Sequence, residues 1–427
     1  MGELSAYYLV IGAAIIIIVS YLYNILAQKT NIPSVILLIV SGYLAKEFLG
    51  FEFNEDEWFL PLEVLGIVGL ILIVLEAALD LELRRKKLRL IGLSGLIAAL
   101  SLFFNTFFLA IGIRYFIGNL DMLTAVIYAI PLAITSSAIV IPSVTRLERA
   151  KREFLIYEST ISDILGIMFF YLLVENLDTN GATEVGFNVI TTIGGTLILS
   201  VVLSYAMIIA FQRIKSDVKL FLFFAVLILF YAIGKLFHLS SLLMILVFGL
   251  VLENRMLFFS GFLRKYLYEE NVKRVLVDFK LLTRESSFVV RTFFFFILGM
   301  SITLAGVFVP DILLLTLYFI VGMFAFRWLL FKLIFKRDFF PQFLIAPRGL
   351  ISILLFFAIP KEFRINEFEL GILLLSIVVT SLFMAWALVL NGIGRYGRMK
   401  RYISILHAVQ KGRGMINRKT KDRENAA

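Results

Sequence analysis

Thirteen apolar runs follow one another along this chain, separated by short polar stretches. A run of about 20 apolar residues is the length of helix that crosses the hydrocarbon core of a bilayer. The runs fall near 7–26, 33–49, 62–80, 89–117, 122–145, 152–175, 187–212, 218–237, 239–253, 286–304, 310–334, 339–360 and 367–391. The split between the eighth and ninth rests only on the polar interruption around His238 and Ser240. The expectation is an all-α polytopic membrane protein of about 13 transmembrane helices. The runs are continuous rather than alternating, which excludes a transmembrane β-barrel.

Composition narrows the chemistry. Charged residues make up 17% of the chain, against about a quarter in soluble domains. Cysteine is absent, so there is no disulfide, thiol chemistry or Cys metal site. His238 and His407 are far apart, which argues against a His-based metal site. The first run lacks a basic leader and a small-residue cleavage site and reads as a retained helix.

The net charge of +10 is a topology signal. Basic residues cluster at Arg84–Arg89, Arg146–Arg152, 212–219, 254–285, Lys336–Arg337 and beyond Arg395, while the alternate loops are acidic or neutral. On this threading 33 Lys and Arg fall on one side and 5 on the other. The positive-inside rule then puts the N-terminus outside and the C-terminus in the cytoplasm, and nucleic acid drops out as a partner. Residues 254–285 alternate basic and apolar positions as an amphipathic linker at the cytoplasmic interface would. Residues 392–427 form a basic cytoplasmic tail.

Two runs are interrupted. The fifth carries Pro131, Thr135, Ser136, Ser137 and Pro142, and the twelfth Pro341, Pro347, Arg348, Gly349 and Pro360. Proline frees backbone groups that need new partners in lipid. If helices 1–6 and 8–13 are inverted repeats joined by the seventh, the two broken helices occupy equivalent places. That arrangement points to a midplane binding site.

The sixth run, 152–175, carries Glu158, Ser159, Ser162 and Asp163. At about 100° per residue the four share one face, within roughly 140° of arc. Carboxylates within a membrane helix meet a counter-charge, a cation or water. Counting about 1.5 Å per residue puts Glu158, Asp163, Thr135, Arg327 and Arg348 at roughly 9–16 Å from the cytoplasmic end, with Glu76 at roughly 6–8 Å. Either Arg327 or Arg348 is within reach of Glu158. Arg291, near a helix end, reads as snorkelling to the interface.

The motifs GLILIVLEAALDLEL, ITSSAIVIPSV, ESTISDILGI, FAFRW and APRGL, in this order and spacing, resemble the monovalent cation/proton antiporters of the Na+/H+ exchanger group. The likeness runs over all thirteen spans. Leu75–Leu79 matches the third-span F-E-G-A-L element, and Thr135–Ser137 the T-D/S-P break without its proline. Glu158–Ser159 and Ser162–Asp163 match E-S-x-x-N-D. Arg327 matches the span-eleven arginine, and Pro347–Gly349 the second break. The pair Ser162–Asp163 departs from the Asn–Asp, Asp–Asp and Gln–Asp pairs of the three main branches, so Na+, Li+ and K+ all stay open.

The resemblance implies a homodimer in the cell membrane, within a transmembrane domain over 1–391. Core helices at about 89–175 and 310–391 would move against scaffold helices at about 7–80 and 218–304. It implies monovalent cation/proton exchange by alternating access, with the cation at Asp163. Thr135, Ser159, Ser162 and Glu76 would complete the oxygen shell, and Glu158, Arg327 and Arg348 would act as structural charges. No cofactor is expected beyond the transported ions, and the partners are lipid and a second copy. One carboxylate at the site favours electroneutral exchange. The alternative is a K+ efflux transporter or a channel-like K+/H+ exchanger on the same scaffold. An enzyme is not expected, because no HExxH or GxSxG element occurs.

The topology has a direct test in this Cys-free chain. Single cysteines at Lys29, Arg85 and Glu55 in intact cells should give labelling by an impermeant reagent at position 55 only. Labelling at 85 without labelling at 55 would invert the threading.

Overall fold

The computed structural model describes residues 3–30, 33–49, 55–83, 85–118, 120–174, 182–211, 219–236, 241–259, 269–301, 310–335, 339–365 and 371–392. The described residues form helices and turns, with no strand among them. In order these are α1 (Glu3–Thr30), α2 (Ser34–Leu49), α3 (Glu55–Asp80), α4 (Leu88–Ile117), α5 (Met122–Ala133), α6 (Ser137–Ser143), α7 (Arg149–Val174) and α8 (Ala182–Phe211). Then come α9 (Lys219–Leu236), α10 (Ser241–Glu253), the short α11 (Arg255–Phe258), α12 (Glu269–Ser301), α13 (Pro310–Phe335), α14 (Leu350–Phe357) and α15 (Gly371–Gly392). With α5 and α6 taken as one broken span, and the stretch ending in α14 as another, each of the thirteen expected spans has its counterpart. Five of the described helices, and α5 with α6 taken as one span, are long and apolar enough to cross a membrane. Large apolar side chains face outward along them, among them Ile15, Ile18 and Leu22 of α1. Such a surface is stable in lipid and not in water.

The helices pack in two sets. In one, α12 lies against α2 and α3, and α10 against α3, α8 and α9. In the other, α4 packs on α5, α7 and α13. The connection after α3 passes from one set to the other near the basic end. There Asn254 holds the chain, its Nδ2 donating to Leu81 O at 2.9 Å and its Oδ1 accepting from Leu83 N at 2.6 Å. Tyr157 of α7 donates to Glu82 O at 2.9 Å in the same segment.

One expectation needs correction. Residues 269–285 are no separate interfacial linker; they run directly into the tenth span as one 33-residue helix. Val272, Leu276 and Phe279 are buried. Phe279 meets Phe224 of α9, and Lys280 pairs with Glu253 of α10 at 2.6 Å. The apolar face that suggested a lipid surface is spent on protein packing. The twelfth span is interrupted, as expected. It has one 3-10 turn at Gln342–Leu344, extended chain over Ile345–Gly349, and only then α14. The interruption near His238 and Ser240, and the tail beyond Gly392, lie outside the described residues.

The α2–α12 contact is the tightest backbone approach. A Cβ on Gly42 would strike the carbonyl oxygen of Phe296, and one on Gly299 that of Ile39. Neither obstacle is a side chain that can turn away. Gly42→Ala and Gly299→Ala should each lower the melting temperature of the detergent-purified protein by several degrees. Gly92→Ala, which meets nothing within 4 Å, should leave it unchanged.

Candidate functional site

The site is built where the two broken spans meet α7. Between α5 and α6, residues Ile134–Ser136 leave the helix, so the amide groups of Thr135, Ser136 and Ser137 lose their usual acceptors. Each finds another. Thr135 N–H donates to Ser162 Oγ at 3.0 Å, Ser136 N–H to Pro347 O at 2.9 Å, and Ser137 N–H to Asp163 Oδ2 at 3.0 Å. Two of the three acceptors are adjacent side chains of α7; the third is the extended chain of the other broken span. Gly349 permits this approach, since a Cβ there would overlap the Ser136 side chain. Gly166 does the same for α7 against Ile134.

Asp163 is fully buried, at 0% exposure. Its Oδ1 has no hydrogen-bond partner in the described structure. A carboxylate so placed is costly unless a proton or cation takes up that oxygen. Among the described residues no group of three or more Asp, Glu, His or Cys is arranged around a metal ion.

The two fully buried arginines have different partners. Arg327 grips both oxygens of Glu158, the second at 3.2 Å through Nη2. Its remaining donors go to unwound carbonyls of the twelfth span: Phe343 O at 3.1 Å, Ile345 O at 3.2 Å and Gln342 O at 3.3 Å. The sequence left Glu158 between two arginines, and the structure gives it to Arg327. Arg348 donates instead to Thr135 Oγ1 at 3.1 Å and to Met323 Sδ at 2.9 Å. Its guanidinium lies 5.3 Å from the centre of the Phe319 ring, a favourable place for a desolvated cation. The backbone N–H of Arg348 donates to Thr380 Oγ1 at 3.0 Å.

Thr135, Ser162, Asp163 and Arg348 thus come together around one break. Ser159 is buried, but its hydroxyl donates to Leu155 O of its own helix at 2.8 Å. Glu76 faces Arg291 at 3.4 Å, so Arg291 points to a carboxylate rather than snorkelling to the interface. A cavity of about 490 Å³ lies beside the site, its walls including Glu76, Asp80, Ser137, Arg284 and Arg291. Sequence reasoning missed Thr380, and placed Ser137 in the break without giving it a role at the site. The first shows only as a hydroxyl within an apolar run, and the second acts through its backbone.

The family described as sodium/hydrogen exchanger, transmembrane, matches residues 14–390. Among solved structures, that of the sodium proton antiporter MjNhaP1 from Methanocaldococcus jannaschii at pH 8 is 21% identical. The match covers 90% of this chain and 98% of that one, with a TM-score of 0.62. A second structure of the same antiporter, from an electron-microscopy map, is 18% identical over 93% and 97% of the two chains, with a TM-score of 0.64. Comparison with curated protein sequences gives no match. At these identities the structural likeness speaks for a shared fold.

The Glu158–Arg327 arrangement predicts unequal losses. Breaking a buried pair from one side costs about 3–5 kcal/mol. Glu158→Gln and Arg327→Ala should both lower thermal stability, and Arg327→Ala more, because three carbonyls also lose their donor. The double variant should recover the unpaired-carboxylate part of the Arg327→Ala loss, as read by melting of purified protein. Simple addition of the two losses would rule out coupling.

Proposed function

The chain belongs to the sodium/hydrogen exchanger family, and on that premise we propose that it exchanges a monovalent cation for a proton by alternating access at Asp163. The observation that carries this reading is the buried Asp163 carboxylate, with one oxygen on the Ser137 N–H and the other unpartnered. A proton or a desolvated cation each removes the cost of that bare oxygen, and each excludes the other. The occupied site is neutral and crosses an apolar barrier readily. The empty site is charged and held back. That difference couples the two fluxes.

In this reading Thr135 and Ser162 supply hydroxyl oxygens beside Asp163, and Ser159 keeps lone pairs free for the same use. Na+ or Li+ is the proposed substrate, with K+ the further candidate. Electroneutral exchange follows from the carboxylate count. Glu158 has both oxygens on Arg327 and Glu76 faces Arg291, which leaves Asp163 as the one group free to trade a proton for a cation. Helices α4–α7 and α13–α15 would carry the site as the moving core. Helices α1–α3 and α9–α12 would form the scaffold and the contact with a second copy in the cell membrane. The N-terminus would lie outside and the C-terminus in the cytoplasm.

Proteoliposomes give the test. Addition of Na+, Li+ or K+ should dissipate an imposed ΔpH, and Asp163→Asn should abolish this while the protein still purifies folded, since an amide is easier to bury than a carboxylate. Apparent cation affinity should weaken as pH falls, because protons compete for one site. The rate should not follow an imposed potassium-diffusion potential. Exchange retained in Asp163→Asn would remove the site assignment; a rate that follows the potential would remove the electroneutral stoichiometry.

A further inference from the structure

Arg291 is a charged group that the exchange cycle leaves unexplained. On α12 it shares one helix face with Lys280 and Arg284, and each of the three meets a carboxylate of α3 or α10. The pairs are not alike. Lys280–Glu253 and Arg284–Asp80 close to 2.6 Å, the second as a hydrogen bond. Arg291 Nη1 stays 3.4 Å from Glu76 Oε2; that oxygen, like Glu253 Oε2, is buried without a hydrogen bond. Asp80 and Glu76 lie four residues apart on α3, about 6 Å along the axis. The tight pair therefore sits at the helix end and the loose pair one turn deeper.

The loose pair stands in open space. Glu76 and Arg291 both line the 490 Å³ cavity, with side chains 18% and 21% exposed. The same cavity reaches Ser137, whose N–H holds Asp163. A cation entering this cavity meets Glu76. That carboxylate offers an oxygen with no hydrogen bond, and what faces it is a guanidinium on a flexible stem, a monovalent cation on a tether.

Resting on the exchange reading above, we propose that Arg291 is a built-in competitor: it holds at Glu76 the place of the transported cation, which binds there by displacing it. A tethered group acts at millimolar effective concentration or above, so it sets a threshold below which Glu76 stays closed to the cation. The cavity leaves room for the displaced side chain. With Arg291 in place Glu76 is neutralised without a proton, so the empty scaffold wall carries no proton into the cycle.

A pair that only braced α3 against α12 would behave differently. Its loss would lower stability and leave cation affinity alone. A competitor's loss tightens affinity. The measurement is ΔpH dissipation by the full chain in proteoliposomes, over Na+, Li+ and K+ titrations at ionic strength held constant with choline chloride. Arg291→Gln should lower the half-saturating cation concentration by about 5-fold or more, the lower range for a coupling between sites. Arg291→Lys, which keeps the charge, should stay near wild type. Glu76→Gln should weaken affinity, and Arg291→Gln added to it should produce no tightening. Should Arg291→Gln fail to fold, Arg291→Met, apolar and of similar length, carries the same expectation. An unchanged or raised half-saturation in the neutral variant, or the same tightening without Glu76, overturns the proposal while exchange at Asp163 stands. A wild type that moves none of the three cations overturns the exchange reading and this one with it.

Discussion

Three consecutive amide groups, those of Thr135, Ser136 and Ser137, hold this architecture to a single arrangement. Inside a membrane no water stands ready to receive them, and each unpaired donor costs several kcal/mol. Their acceptors come from Ser162, Pro347 and Asp163, that is, from α7 and from the opposite broken span. The break, the helix beneath it and the second break therefore fix one another. Asp163 has a dual role in this arrangement. One oxygen belongs to the scaffolding of the break and the other has no hydrogen-bond partner, so the bare oxygen is placed by the carboxylate's own structural bond.

The two fully buried arginines divide the electrostatic work. Arg327 neutralises Glu158 and also closes off the carbonyls of the unwound twelfth span, a task suited to a planar group with five donors. Lysine would satisfy the charge and leave carbonyls bare. Arg348 has no carboxylate hydrogen bond; its donors meet a hydroxyl and a thioether, and it lies over an aromatic ring. Its positive charge is thus available to the wider site rather than consumed by a neighbour.

Much of this was legible in the chain because lipid makes strict demands. Apolar run length gave the spans, and prolines with clustered hydroxyls gave the two breaks. Shared helical phase put Ser162 and Asp163 on one face. Sequence could not choose between Arg327 and Arg348 for Glu158, since both fall at comparable depth and only the packing of α13 against α7 and the 3-10 turn decides. It misjudged 254–285, because an apolar stripe has the same period whether it meets lipid or another helix. It took Arg291 for a snorkelling residue, because a partner on α3 is invisible to local pattern. The role of Ser137 was hidden for another reason: its contribution is an amide, which every residue but proline has.

The glycine contact between α2 and α12 has a mechanical consequence. Where Gly42 meets Gly299, backbone rests on backbone with no side chain between to slide or flex. The two helices are in effect welded, and each forms a wall of the cavity, α2 through Ser34, Val35 and Leu38, α12 through Arg284, Arg291 and Thr292. The facing wall, Ser137 to Thr145, belongs to the broken span. With α2 and α12 locked together, a shift of the broken span relative to them changes the bore. The Ser137 amide that anchors Asp163 is part of the broken span, so such a shift carries the carboxylate with it.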